Sequence, residues 1–64
     1  MTNLKRIQKE KGITTTELSE RSGVNIRMLR YYIAGYRDIN KAEALTVYKI
    51  ATVLNCTVED LLEK

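Results

Sequence analysis

A residue that ends helices and one that starts them stand two positions apart near the middle of this chain, Gly23 and Asn25 in the stretch "SGVN". Glycine tolerates the left-handed backbone that closes a helix, and asparagine accepts hydrogen bonds from the free amides that open one. Helices joined by about three residues with a glycine in the joint cannot lie side by side; they must cross steeply.

The flanking sequence supplies those helices. Apolar residues recur at intervals of three and four, strand-like alternation is absent, and there is no proline. The spacing predicts a first helix from Asn3 to Lys11, with Leu4 and Ile7 inward, stopped by Gly12. A second opens at "TTTE", where Thr14 caps the free amides and Glu17 reaches back in a capping box; it buries Leu18 and runs to Ser22. The third spans Ile26 to Ala34 and stops before Gly35. The second and third helices and their joint form a helix-turn-helix outline. Asn40 is the expected cap of a fourth helix reaching Leu54, with Ala44, Val47, Tyr48, Ala51 and Leu54 inward. Thr57 caps a last short helix carrying Val58, Leu61 and Leu62. The expected fold is all-α, a compact five-helix domain filling residues 1–64.

Sixty-four residues lie near the lower limit at which a chain without disulfide or metal buries enough apolar surface to fold alone. With 44% apolar and 30% charged residues it is too apolar for a disordered chain. No window is apolar enough to span a membrane, and "MTNLKRIQKEKG" lacks the apolar segment of a signal peptide, so a cytoplasmic protein without membrane contact is expected. With no histidine and a single cysteine, Cys56, neither a zinc site nor an internal disulfide is expected. Cys56 reads as a small buried apolar residue. The one close group of carboxylates, Glu59, Asp60 and Glu63, sits on a short helix with no room for a pocket. No enzyme activity, cofactor, metal or small-molecule ligand is expected.

The net charge of +3 is unevenly spread. Residues 1–41 hold nine Lys/Arg against four Asp/Glu, a balance of +5, and residues 42–64 hold two against four, a balance of −2. An anionic partner meets the first two thirds of the chain.

Within that basic region the third helix separates its residues by face. At about 100° per residue, Met28, Leu29, Tyr32 and Ile33 share one side, and Arg27, Arg30, Tyr31 and Ala34 the other. No acid stands three or four residues from either arginine, and the two like charges repel by a few tenths of a kcal/mol. Either an external anion answers them or a tertiary acid such as Glu17 or Glu20 does. The major groove of B-DNA admits an exposed helix, and arginine pairs bidentately with guanine. Tyr31 can touch a phosphate or a thymine methyl; its competing role is to cover the stem of Arg27, a contact of about 0.5 to 1 kcal/mol. Phosphates can be held by the free amides and hydroxyls of Thr14, Thr15 and Thr16, by Asn25, and by Arg37 and Lys41 beyond the third helix. The bland alternatives are a plain helix cap for the threonines and a solvated surface for the basic residues.

The stretch "ITTTELSERSGVNIRMLRYYIAG" resembles the helix-turn-helix of the Cro and phage-repressor family, the Xre-like, lambda-repressor-like transcriptional regulators. The match runs through Leu18, Ser19, Gly23, Val24, Asn25, Leu29 and Gly35, and "YKIATVLNCTVEDLLEK" resembles the family's closing helices. The resemblance implies a sequence-specific reader of double-stranded DNA, with the second helix over the backbone and the third in the major groove. Ile26, Arg27 and Tyr31 then face the bases, with Arg30 at the rim. It also implies a homodimer on half-sites about 34 Å apart. The acidic C-terminal helix, with Val58, Leu61 and Leu62, is the expected dimer surface; those residues can equally do no more than close the core.

Three departures from the family stand out. Thr15 replaces a glutamine that clamps phosphate. Gln8 and Ile33 replace an arginine and a glutamate that pair, leaving an apolar contact as the expected substitute, which need not destabilise. The stretch "YRDINKAEA" is about three residues longer than the usual pattern, which loosens the assignment of Arg37 and Lys41. A protein-binding adaptor or antitoxin-like subunit on the same fold is the alternative, and exposure of Tyr36, Tyr48, Leu62 or Met28 is the feature that favours it.

Overall fold

A computed structural model describes residues 1–63. Five α-helices follow one another: α1 (Asn3–Lys11), α2 (Thr15–Ser22), α3 (Ile26–Ala34), α4 (Ala44–Leu54) and α5 (Val58–Leu61), with a 3-10 turn at Ile39–Lys41 between α3 and α4. No strand occurs among the described residues.

The first three helices keep the bounds their sequence predicts because each carries its own local start and stop. The hydroxyl of Thr2 accepts from the amide of Lys5, that of Thr14 from Glu17, and the Asn25 side chain from Arg27 and Met28. Gly12, Gly23 and Gly35 close the same helices with φ between 68° and 87°. That region costs a residue with a Cβ roughly 1 kcal/mol or more, which is why Gly23 can turn the chain so abruptly into α3. Asn55, the one described non-glycine residue with positive φ, ends α4 in the same way.

The core lies where α2 packs against α3 and α4, with α1 and α5 closing it from the other end. Leu4, Leu18, Leu29, Ile50, Leu54 and Leu61 are its largest fully buried side chains. Each buried leucine or isoleucine contributes roughly 1.5 to 3 kcal/mol, so a core this small depends on nearly all of them.

The structure corrects the sequence reading after Gly35. Asn40 does not cap α4. It lies inside the 3-10 turn, which Asp38 caps through the Asn40 amide, and its side chain pairs both ways with the backbone of Glu63. A local cap has lost to a partner 23 residues away. Consequently α4 starts at Ala44 with no side-chain cap. Its inward residues are Val47, Ile50, Ala51 and Leu54, whereas Ala44 and Tyr48 face solvent. The capping box read at the start of α2 is half formed, since Thr14 accepts from Glu17 but no return bond from the Glu17 carboxylate is present among the described residues. The complete box is at α5, between Thr57 and Asp60. Cys56 is half-buried and not fully enclosed. Burial pushes its thiol upward, the Asp60 charge adds to this, and Lys11 opposes it.

Candidate nucleic-acid interface

Both faces of α3 follow from its composition. Leu29 and Tyr32 are buried, Met28 and Ile33 pack partly against the core, and Arg27, Arg30, Tyr31 and Ala34 are exposed. Ile26, at the first turn, is half-buried, so its side chain is divided between the protein and the open face. Asn25 is exposed, but its side-chain oxygen is committed to the amides of Arg27 and Met28 at 2.8 and 3.4 Å. Only its amide nitrogen remains for an outside group.

Among the described residues neither Arg27 nor Arg30 is answered by Glu17, Glu20 or any other acid. The one ion pair among the described residues is Arg6 with Glu10 at 2.8 Å, on α1. The exposed face of α3 is thus cationic, with no counter-charge among the described residues.

The turn after α3 folds over Tyr31. The Tyr31 carbonyl accepts from the amides of Gly35, Tyr36 and Arg37 at 3.0, 2.9 and 3.3 Å. This brings the Arg37 guanidinium over the Tyr31 ring, 5.7 Å from its centroid. The Tyr31 ring therefore carries Arg37, and not the Arg27 stem of its competing reading, in a contact worth about 0.5 to 1 kcal/mol at an exposed site. Arg37 joins the face of α3 through tertiary folding. Lys41 ends the 3-10 turn, is exposed, and lines one shallow cleft with Arg37, Asp38 and Tyr32.

The start of α2 forms a second group. Thr14 and Thr16 are exposed and Thr15 is half-buried. With the Glu17 amide taken by the Thr14 hydroxyl, the amides of Thr15 and Thr16 are left as free donors of the first turn. Beside them a cleft is lined by Lys5, Gln8, Lys9, Gly12, Ile13 and Thr14. Two lysines of α1, which read as an outer solvated face in the sequence, therefore stand near this helix start.

Gln8 is buried, and Ile33 packs partly against the core. The Gln8 side-chain amide donates to the Thr15 hydroxyl at 3.0 Å. The substituted positions are connected to each other, a link that no spacing rule on one helix could have shown because they lie on α1 and α2.

The expected dimer surface is partly spent. Leu61 is fully buried, while Val58 and Leu62 are half-buried, Val58 against the core. The exposed large apolar residues elsewhere are Tyr36, Leu45 and Tyr48, besides Met1 and Tyr31.

A short capped joint, a buried α3 underside and an unpaired basic outer face define a DNA-binding helix-turn-helix domain. The chain matches the Cro/C1-type HTH DNA-binding domain over residues 3–63 and belongs to that family. The family is a DNA-binding one and not an enzymatic one. No curated protein and no solved structure matches the chain. Among the described residues no helix is long and apolar enough to cross a membrane.

Proposed function

We propose that the protein is a sequence-specific reader of double-stranded DNA and regulates transcription in the manner of a repressor, with α3 in the major groove. One observation carries this reading: Arg27, Arg30 and Tyr31 share an exposed face on which, among the described residues, no acid pairs with either arginine. A fold that holds two like charges one turn apart without an internal partner gains when an external anion supplies it. Arg27 and Tyr31, with Ile26 and Arg30, face the bases. Thr14, Thr15, Thr16, Asn25, Arg37 and Lys41 hold the phosphates that fix the register.

Selecting binding sites from a random duplex pool tests this directly. The expected result is an enriched motif bound far more tightly than a scrambled duplex, with a palindromic motif indicating two copies on adjacent half-sites. Equal, steeply salt-dependent binding to both duplexes overturns sequence-specific reading and leaves a basic surface only.

A specific observation also favours a second reading, a protein-binding subunit on the same fold. Leu45 and Tyr48 expose 59% and 60% of their surface on one side of α4, and Tyr36 exposes 83%. In that reading α4 meets a partner protein. Where two copies meet, α5 offers only the surface that Leu61 does not fill, and α4 offers the larger apolar contact. Sedimentation of the wild type and of Tyr48→Asp, with and without the selected duplex, separates these arrangements.

A further inference from the structure

We infer that Asn40 latches residues 62–63 to the loop after α3 and is thereby the positioning residue for Arg37 and Lys41, which that loop carries; the consequence for DNA rests on the reading above. Beyond Leu61 the chain leaves α5, with Leu62 extended at φ −68° and ψ 142°. Backbone groups outside a helix or strand must find side chains or water. Here all four backbone groups of the pair are bonded within the protein. The Leu62 amide donates to the Glu59 carbonyl at 3.3 Å, and the Leu62 carbonyl accepts from the Asn3 side chain at 2.8 Å. The Glu63 amide donates to Asn40 Oδ1 at 2.8 Å, and the Glu63 carbonyl accepts from Asn40 Nδ2. One side-chain amide thus binds Glu63 as a neighbouring antiparallel strand would, with a bond in each direction. The 3-10 turn does not need that side chain, since its own bonds run from the amides of Asn40, Lys41 and Ala42 to Asp38 and Ile39.

The latch closes a ring of hydrogen bonds. The Thr2 hydroxyl accepts from the Lys5 amide and donates to the Ile33 carbonyl at 2.7 Å, which ties the start of α1 to the end of α3. Its neighbour Asn3 holds the Leu62 carbonyl, and Asn40 leads from Glu63 back to the loop. The ring surrounds a cleft of about 560 Å3, whose lining includes Thr2, Tyr36, Arg37, Asn40 and Glu63. Arg37 and Asp38 are strung between two supports. On one side the Tyr31 carbonyl takes the Arg37 amide at 3.3 Å; on the other Ile39 enters the core and Asn40 grips Glu63. Lys41 follows directly. Hydrogen bonds at a surface open without unfolding of the core. Leu61 is fully buried and keeps α5 in place, while Asn40 is exposed, so the latch can part with the helices intact. Displacing residues 62–63 then loosens the loop that carries the two basic side chains.

The test is nitrogen-15 relaxation of the full chain, which reads native-state mobility apart from stability. In the wild type, order parameters of about 0.85 are expected at Asp38, Asn40 and Lys41, as in α3. Asn40→Ala removes the latch from one side. Glu63→Pro removes the Glu63 amide from the other, and the extended Leu62 backbone already suits a residue before proline. Each is expected to bring the loop below about 0.6 while α3 stays near 0.85, and to weaken the cross-peaks between the Tyr31 ring and the Arg37 side chain. Glu63→Ala, which keeps the backbone, is expected to match the wild type. On the selected duplex, Arg37→Ala is expected to weaken binding roughly tenfold in the wild type and less than about twofold in Asn40→Ala. Loop order parameters unchanged in both latch variants, with only the melting temperature lowered, overturn the proposal and leave Asn40 as a stabilising contact. Equal losses on Arg37→Ala in both backgrounds overturn the positioning role. Failure of the wild type to bind any selected duplex overturns the DNA reading alone, and the relaxation result still decides the latch.

Discussion

The helices α1 and α3 have the same length, nine residues, and both turn basic side chains to solvent, yet they differ in what answers those charges. On α1, Lys5, Arg6, Lys9 and Lys11 accompany one acid, Glu10, and Arg6 has closed on it at 2.8 Å. On α3, two arginines stand with no acid at all. Counting charge alone ranks α1 first. The arrangement ranks α3 first, because its arginines have no acid partner among the described residues and its start is fixed by Gly23 and Asn25 at a short joint, while Tyr31 holds Arg37 on the same side. The comparison teaches that what separates two basic faces is the position and pairing of their charges, more than charge density.

The largest expected effect breaks the scaffold of that comparison. Leu29→Ala, on the buried side of α3, should cost about 2 to 5 kcal/mol of stability, enough to unfold much of a 64-residue domain; thermal unfolding followed by circular dichroism reads it. A variant that melts like the wild type refutes the assignment of the two faces.

Next in size is the contrast between the two surfaces. Arg27→Ala should weaken binding to the selected site by roughly 1 to 3 kcal/mol and barely change binding to random DNA. Lys9→Ala on α1 should instead weaken both duplexes alike and lower the salt slope by about one. Equal losses for both variants on both duplexes erase the distinction between α1 and α3.

Smaller again is the internal ion pair. Arg6 and Glu10 are both about half exposed, with side-chain accessibilities of 52% and 56%, so Glu10→Gln should cost about 0.3 to 0.5 kcal/mol of stability. A double-mutant cycle with Arg6→Gln measures that coupling, and a coupling near zero shows that the pair adds nothing to stability.

The smallest effect separates how the two helices begin. Both have a local cap, Thr2 for α1 and Asn25 for α3, but the first amide of α1, that of Asn3, also reaches the Glu63 carboxylate at 3.3 and 3.4 Å, beyond α5. Hydrogen bonds from the Thr57 amide and hydroxyl hold the Asp60 carboxyl below its ordinary range. Folding therefore favours the ionised form, and that contribution is present above the ordinary carboxylate range and lost as pH falls below it through the lowered folded-state value. Amide exchange at decreasing pH should show protection falling in α5, whose start the Thr57–Asp60 pair closes, before the first turn of α3, whose Asn25 cap does not titrate. Simultaneous loss in both places contradicts separate anchoring.

How far the sequence could be read depended on how local the deciding interactions were. The bounds of α1, α2 and α3 were legible because each cap and each glycine acts within a few residues of itself. The fourth helix was misread because Asn40 has the chemistry of a cap, and only its pairing with the Glu63 backbone assigns it elsewhere. The phase of α4 moved with its start, exchanging Tyr48 for Ile50 in the core. At the proposed interface, Arg27, Arg30 and Tyr31 were legible from helical spacing. The support of Thr15 by Gln8 was not, because the Gly12 turn that brings α1 beside α2 has no counterpart in spacing along either helix.

Sequence by itself determined that this chain is helical, that α2 and α3 cross at a tight joint, and that α3 has one apolar and one basic face. Those properties come from backbone conformation, capping and 3.6-residue periodicity, which act over short stretches. Tertiary structure alone decided that Arg37 stacks on Tyr31, that Asn40 clasps the C-terminal segment, and that Gln8 donates to Thr15. Each of these needs two side chains or backbones from different elements to meet at hydrogen-bond or ring-contact distance, and only the packing of the whole core fixes such distances.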